Sequence, residues 1–252
     1  MEFVDVAAVL GALAWTPHLI SVARNYFTKS KIRIITNKTA EIGFTTYGPI
    51  FNLRIAFSVE NKDIVVSDLI VKLKHESGEE RVFAWQGITQ SVGKMTTPEA
   101  TVPFEKEQSV LAVKLNQFNI EELFIRCQEP KFIAEKQEIE SIAVEKLTYL
   151  KDENQFEIAS FLRSQEMIDL YKYNKQAFPW KAGKYTLTFE LSSPQDFTLV
   201  DNERTFLLST LDVEELSKNK DMIESEYRRN VPGGEEKEGV KWEWRYPQLI
   251  KT

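Results

Sequence analysis

The sequence predicts a mainly β protein with a helical insertion, an α+β class, preceded by a hydrophobic helix at the N-terminus. Apolar and polar side chains alternate along several short segments, which is typical of strands with one buried face. Within residues 117–178 apolar side chains recur at helical spacing instead. The chain begins with a mainly apolar segment that precedes both patterns. We therefore expect an N-terminal helix over residues 1–28 and one β domain over residues 29–252.

The N-terminal segment has the length and hydrophobicity of a membrane anchor. From residue 3 to residue 23 the chain is mainly apolar, close to the roughly 20 residues that a helix needs to cross a bilayer. Asp5, Pro17 and His18 interrupt the run, although membrane helices tolerate proline better than soluble helices do. The alternative is a buried or amphipathic helix that packs against protein.

Basic side chains follow this segment on one side only. Residues 24–38 contain five of them and no acidic residue, whereas the only charged residues up to residue 23 are Glu2 and Asp5. The five basic residues are Arg24, Lys29, Lys31, Arg33 and Lys38. Positive charge beside a hydrophobic segment is retained on the cytoplasmic side of a membrane. We expect an outside N-terminus, a cytoplasmic main domain and a membrane-proximal basic stem that contacts anionic lipid head groups.

The composition argues against several classes of binding. A net charge of -6 disfavours a nucleic-acid-binding surface. The single cysteine, Cys127, allows neither an internal disulfide nor a thiolate zinc cluster, and its spacing among apolar residues predicts a buried thiol. No phosphate-binding glycine loop, dinucleotide fingerprint or calcium loop occurs in the sequence. We therefore expect no cofactor and no metal.

The sequence also lacks a recognisable catalytic constellation. Of the two histidines, His18 lies in the apolar segment, so a serine or cysteine nucleophile with a histidine base would have to use His75. No nucleophile-elbow pattern surrounds any serine. We expect no catalytic residues and no enzyme activity, with a hydrolase that relies on paired carboxylates as the remaining catalytic alternative.

Several segments have the two-residue period of strands. The clearest runs from Phe51 to Val59, where every second side chain is apolar. Short strands separated by polar turns are typical of antiparallel sandwiches. The rhythm resembles that of immunoglobulin-like and arrestin-like sandwiches, and we expect an immunoglobulin-like antiparallel β-sandwich. Further strands are expected at residues 69–73, 82–85, 110–115 and 185–191, a hairpin at residues 197–200 and 205–208, and an irregular stretch at residues 87–108.

Helical signals mark the insertion at about residues 117–178. Asn119 and Glu122 form a capping-box pattern that predicts a helix start, and Pro130 suits the first turn of the next helix. Further helices are expected over residues 158–171 and, after the insertion, over residues 210–229. The insertion helices are the preferred partner-binding element, unless they cover a sheet edge.

The end of the chain is rich in aromatic residues. Trp242, Trp244 and Tyr246 lie at alternate positions and predict one face of a closing strand. They form a candidate interaction surface for a ligand or a partner strand, and the alternative is that they pack on the core.

Together these patterns predict a membrane-tethered, non-enzymatic protein-interaction or scaffold module with its β-sandwich in the cytoplasm. The expected partners are membrane lipid, bound through the N-terminal helix, and a protein; the sequence predicts no particular oligomeric state. The alternative is a soluble structural or assembly subunit whose N-terminal helix packs into a neighbouring subunit.

Overall fold

The computed structural model describes residues 15–20, 22–23, 28–96, 101–108, 111–233 and 239–252. Residues 15–20 and 22–23 are helical and expose Trp15, Leu19 and Ile20. The rest of the predicted anchor and Arg24 of the predicted basic stem lie outside the described residues. Within the described part of the chain, no helix is both long enough and apolar enough to cross a membrane.

Twelve strands are found among the described residues, and ten of them form one large sheet. The strands are β1 (Ser30–Thr45), β2 (Gly48–Glu60), β3 (Ile64–Val66), β4 (Asp68–His75), β5 (Glu80–Thr96), β6 (Thr101–Gln108), β7 (Val113–Leu115), β8 (Glu121–Gln128), β9 (Gly183–Ser192), β10 (Phe197–Val200), β11 (Glu203–Leu208) and β12 (Ile250–Lys251). The order in the large sheet is β10-β1-β2-β8-β5-β4-β9-β11-β12, and β6 pairs with the second half of β5. All pairs are antiparallel except β1 with β10. The short strands β3 and β7 pair separately.

The large sheet curls until its two ends are joined by the C-terminal segment. β10 follows β9 in the chain but pairs with β1 at the opposite end of the strand order. Beyond β10, the second half of β1 bonds to the C-terminal segment. There the Ile42 amide donates to the Arg245 carbonyl at 2.8 Å, and the Ile42 carbonyl accepts from the Arg245 amide at 2.9 Å. Residues 250–251 of that segment pair with β11. The C-terminal segment thus bridges β1 and β11.

The mainly β, α+β class is confirmed, but the immunoglobulin-like sandwich is not. A sandwich needs two separate sheets that face each other, whereas here the facing strands belong to one continuous sheet. The hairpin predicted at residues 197–200 and 205–208 is also wrong, because these two strands do not pair with each other. β10 and β11 are consecutive in the chain, yet β10 joins β1 and β11 joins β9.

Two further local predictions are wrong. The helix start predicted at Asn119 is occupied by a short loop and then by β8, because Leu123, Ile125 and Cys127 alternate into the core between β2 and β5. Pairing on both sides outweighs the local capping pattern. The stretch at residues 87–108 is not irregular, since its described backbone forms the β5–β6 ladder with a bulge between Ser91 and Gly93. The predicted buried thiol of Cys127 is confirmed.

Five helices are described after the N-terminal segment. They are α1 (Pro130–Asp152), α2 (Ile158–Leu162), α3 (Gln165–Gln176), α4 (Thr210–Ser217) and α5 (Asn219–Asn230). The first three lie in the predicted insertion, and Pro130 begins α1 as expected. The single helix predicted over residues 158–171 is divided, because Ser164 caps α3 by accepting from the Met167 amide at 3.4 Å. The helix predicted at residues 210–229 is found as α4 and α5.

The core lies between the inner face of the curled sheet and the helices. The sheet contributes large side chains that are under 2 % exposed, among them Phe44, Phe51, Phe57, Phe83, Phe189 and Phe206. The helices add Phe161, Met167, Leu170, Leu216 and Ile223 to the same cluster. Each such side chain stabilises the fold by about 1.5–3 kcal/mol through burial. The alternating pattern read from the sequence is therefore the inner face of the sheet.

The strand directions define two ends of the molecule. At one end the start of β1 meets the end of β2, with Lys31 opposite Glu60, and the start of β8 lies beside Phe57. The N-terminal segment enters β1 there, and we call this the tether end after the membrane tether that the sequence predicts for residues 1–28. At the other end β8 and β11 finish, and α1 and α4 follow them directly. We call this the helical end.

Candidate binding groove on the outer face of the sheet

Polar side chains form a row across the outer face of β1, β2 and β8. The ladder places Glu41 opposite Asn52, and Asn52 opposite Arg126. The residues next to them along each strand point inward and are buried, as strand alternation requires. A carboxylate, an amide and a guanidinium are therefore presented side by side on the outside of the sheet.

This row forms the floor of an open groove of about 560 Å³ near the helical end. The volume falls within the range of ligand-binding clefts, roughly 300–1,000 Å³. We call it the outer groove. Its lining residues are Glu41, Tyr47, Ile50, Asn52, Phe124, Arg126, Gln128 and Trp244.

Asn52 leaves a buried hydrogen-bond acceptor unused in the outer groove. The residue is 5 % exposed, and its Nδ2 donates to Glu41 Oε1 at 2.8 Å. Because a carboxylate only accepts, this bond determines the orientation of the amide and directs Oδ1 elsewhere. Oδ1 is buried and has no hydrogen-bond partner among the described residues. Such an acceptor costs about 1–3 kcal/mol, and a ligand donor that displaces the groups covering Oδ1 would recover this cost.

Trp244 is placed in the groove by contact with Gly43. A Cβ at Gly43 would lie 2.3 Å from Cζ3 of Trp244, so the ring packs directly on the glycine backbone. On its other side, the Gly43 carbonyl accepts from Trp180 Nε1 at 3.0 Å, and this bond is buried. Gly43 therefore lies between two tryptophans, and only glycine leaves room for the ring that lines the groove.

The backbone on either side of Trp244 is fixed by α4 and α5. Asn219, which is fully buried, donates from Nδ2 to the Glu243 carbonyl at 2.8 Å and accepts from the Glu243 amide at 2.7 Å. Arg245 lies 3.4 Å from Asp212 and 3.3 Å from Glu215 on α4. These contacts hold the segment that carries Trp244 against both the helices and β1.

The three aromatic residues predicted as one surface are separated by the structure. Trp244 lines the outer groove, Trp242 packs against the core, and Tyr246 is 60 % exposed without lining the groove. Residues 241–246 form a single bridge to β1 instead of the predicted closing strand. The contacts of Asn219 and Arg245 hold this segment in place of a regular strand ladder. A regular ladder would have kept the three aromatic rings on one face.

Tyr47 forms the exposed rim of the groove, in the turn between β1 and β2. It is 62 % exposed, and Lys136 Nζ on α1 lies 5.6 Å from its ring centroid, within cation–π distance. No pattern in the sequence singled out Tyr47, Asn52 or Arg126. The sequence features that could have indicated them are an aromatic residue in a turn and an asparagine inside an apolar strand. Neither feature identifies a groove until the pairing of the strands is known.

The residues of the predicted basic stem belong mainly to the sheet. Lys31, Arg33 and Lys38 lie in β1. Lys29 pairs with Asp196 at 3.2 Å, Lys31 with Glu60 at 3.2 Å and Arg33 with Asp201 at 3.4 Å. The contact of these residues with lipid stays a prediction.

A second polar cluster connects the turn after β4 to the start of α1. Arg81 Nη1 donates to both carboxylate oxygens of Glu129, at 3.1 and 3.0 Å, and Nη2 donates to Glu79 at 3.0 Å. Glu79 also accepts from Lys181 at 2.5 Å, and this hydrogen bond is the main cause that lowers the pKa of the Glu79 carboxyl. The cluster therefore holds three chain segments together through charged hydrogen bonds.

His75, the histidine that a nucleophile would have needed, is held between its own turn and the residue that precedes β9. Nδ1 lies 2.8 Å from Ser77 Oγ, and Nε2 lies 3.2 Å from the Ala182 carbonyl. Because a carbonyl only accepts, Nε2 carries the proton and Nδ1 accepts from Ser77. In the described part of the chain, no three His, Cys, Asp or Glu side chains are placed to hold a metal ion.

The comparisons with known proteins do not assign the chain to a class. No protein-family model, no curated protein and no solved structure matches it.

Proposed function

We propose that this protein is a non-enzymatic binding module that holds a segment of a partner protein in the outer groove. One observation carries the proposal: Asn52 Oδ1 is a buried acceptor without a partner among the described residues, in a groove lined by Tyr47 and Trp244. A partner that displaces the groups covering this oxygen would satisfy it, for example with a backbone amide, while the partner's side chains contact the two rings.

The chemistry of the groove favours a protein partner. Tryptophan, tyrosine and arginine are the residue types that contribute most to binding at protein interfaces, and the groove contains Trp244, Tyr47 and Arg126. The strands below it are paired on both sides along the groove, so a partner cannot bind by adding a strand. Recognition would therefore depend on side chains, which gives selectivity for a short sequence motif.

The proposal retains the membrane tether predicted for residues 1–28. Its support is the apolar run before residue 24 and the exposure of Trp15, Leu19 and Ile20 in the helical part that is described. The full chain is expected to stay with membranes through an alkaline carbonate wash. Release into the supernatant as a homogeneous large oligomer would contradict the tether and favour an assembly subunit.

Binding in the groove is tested with a displayed library of random peptides selected against the full chain. Peptides that share a motif are expected, with affinity about tenfold or more weaker for Tyr47→Ala, since rim aromatics of this kind contribute strongly. Tyr149→Ala is the matched control. Tyr149 is 56 % exposed on α1, with Lys146 Nζ 5.9 Å from its ring, so it shares the setting of Tyr47 outside the groove.

Two results would contradict the groove proposal. One is a selection that yields no shared motif. The other is a set of peptides whose affinity falls equally for Tyr47→Ala and Tyr149→Ala, because binding would then not depend on the groove.

A further inference from the structure

The tether end is built by three chain segments that are bonded to one another. Asn61 Nδ2 donates to the Lys29 carbonyl at 2.9 Å, so the turn after β2 holds the point where the N-terminal segment enters the sheet. Two residues further on, Asp63 Oδ1 accepts from the Gln117 amide at 3.1 Å and pairs with Lys114 at 3.3 Å. These contacts fix β7 and the loop after it beside the entry of the N-terminal segment, and the loop before β7 continues directly into that strand.

These loops carry the three most exposed large apolar side chains of the described residues. Leu111 is 92 % exposed, Phe118 is 87 % exposed and Ile120 is 67 % exposed. Single exposed apolar residues are ordinary on soluble proteins, but clusters of them mark surfaces that contact a partner or a membrane. All three lie within ten residues of sequence, at one end of the fold.

The occupant of this surface is indicated by the chain that leaves next to it. The segment before Thr28 contains the mainly apolar run from residue 3 to residue 23. Its described part exposes Trp15, Leu19 and Ile20 by more than 60 % each. Since Lys29 is bonded to the same turn as the apolar loops through Asn61 and Asp63, a bilayer that receives the N-terminal segment lies against this end of the domain.

The lysines named at this end are paired with carboxylates. Lys29, Lys31 and Lys114 each have a carboxylate partner within 3.3 Å. The exposed apolar side chains are therefore the groups at this end that no described contact engages.

We infer that the tether end is a lipid-facing surface, on which Leu111, Phe118 and Ile120 insert into the interfacial region of the bilayer beside the N-terminal segment. This inference rests on the tether part of the proposed function and is independent of the outer groove. Insertion at a second point prevents the domain from rotating freely on its tether, which directs the helical end and the outer groove away from the membrane.

The test places an environment-sensitive fluorophore on Phe118→Cys in the full chain. Cys127 does not interfere, because it is fully buried, and burial raises the pKa of its thiol, which keeps it protonated and unreactive. Leu211→Cys is the matched control, since Leu211 is 64 % exposed at the start of α4, at the helical end. Both proteins are mixed with vesicles of phosphatidylcholine and phosphatidylserine, and binding is measured in parallel by flotation.

We expect both proteins to float with the vesicles, and we expect only the label at position 118 to change its fluorescence. Its emission moves to shorter wavelength, and nitroxide-labelled lipids quench it, while the label at position 211 is unaffected. Flotation with no change at position 118 overturns the inference and leaves the tether intact. Failure to float overturns both.

A second copy of the chain is the competing occupant of this surface. It would shift the emission of the label at position 118 without vesicles, in proportion to protein concentration. That result also overturns the lipid assignment, and none of these outcomes depends on peptide binding in the outer groove.

Discussion

Arg204 on β11 donates from Nη2 to the carbonyl oxygen of Ile34 on β1 at 2.9 Å, across 170 residues of sequence. Its Nε donates to Thr36 Oγ1 at 3.2 Å, and its Nη1 donates to the carbonyl of Asp201 at 2.8 Å. The residue is only 6 % exposed, and burial lowers the pKa of its guanidinium. Arg204 thus joins β11 to β1, which lie near opposite ends of the strand order.

Replacement of Arg204 is expected to open this junction. Arg204→Met keeps most of the volume but leaves the carbonyls of Ile34 and Asp201 without their donor, which we expect to lower the free energy of unfolding by about 3 kcal/mol. Urea unfolding measures the change. The control is Arg54→Met on β2, whose side chain is 47 % exposed and for which a change within about 0.5 kcal/mol is expected. Equal losses in the two variants would show that Arg204 does not close the sheet.

Gly43 controls the position of Trp244. Gly43→Ala would place a methyl group into the indole ring, so we expect a loss of about 1–3 kcal/mol from overpacking and a displaced Trp244. Tryptophan fluorescence and peptide affinity report the displacement, and thermal unfolding reports the loss. Gly239→Ala is the control, because a Cβ there meets nothing within 4 Å. A stable Gly43→Ala variant with unchanged fluorescence would contradict the packing described for the groove.

Asn219 acts as a positioning residue for the C-terminal segment. Asn219→Ala removes both bonds to Glu243 and leaves a half-buried amide and carbonyl unpaired, for which we expect a loss of about 2 kcal/mol. We also expect faster cleavage of residues 239–252 in limited proteolysis. Asn230→Ala on the same helix is the control, since Asn230 is exposed and bonds only to Glu226 of its own helix. Equal cleavage rates would show that Asn219 does not hold the segment.

Glu79 makes stability depend on acidity. Its hydrogen bond from Lys181, and then that from Arg81, lower the pKa of the carboxyl in the folded state. A lowered folded pKa means that the unfolded chain binds the proton first, so the stabilisation is present above the ordinary carboxyl pKa and is lost as the pH falls through the folded pKa. We expect the melting temperature of Glu79→Gln to fall less on acidification than that of the unchanged protein, as measured by thermal unfolding across this pH range. The control is Glu138→Gln, at an exposed site on α1, which should leave the acid-dependent fall in melting temperature unchanged. If Glu79→Gln also has the same profile as the unchanged protein, Glu79 is not the source of this pH dependence.

The sequence was informative where local pattern and tertiary burial agree. In β2, β4 and β9 every second side chain is apolar, and those side chains form the inner face of the sheet. α4 and α5 were anticipated from composition and spacing, and α4 begins with a capping box formed by Ser209 and Asp212. These elements depend on residues within a few positions of one another, so the local sequence is enough to predict them.

Local pattern was misleading where long-range pairing decides the conformation. Asn119 and Glu122 satisfy a helix-start pattern, but the residues that follow are held as a strand between β2 and β5. β10 and β11 are adjacent in sequence and were expected to pair with each other. Because the sheet curls, β1 lies close enough to pair with β10 instead. The sequence of residues 197–208 contains no feature that indicates this proximity.

By itself the sequence determined the mainly β class, the order of most elements, the apolar character of the N-terminal segment and the absence of a recognised catalytic motif. The tertiary structure alone decided that one sheet curls and is closed by the C-terminal segment, and that Glu41, Asn52, Arg126 and Trp244 meet in a groove. The physical reason is the range of the interactions. Periodicity and capping arise from neighbours in the chain, whereas strand register, the contact of Trp244 with Gly43 and the unpaired oxygen of Asn52 depend on residues far apart in sequence.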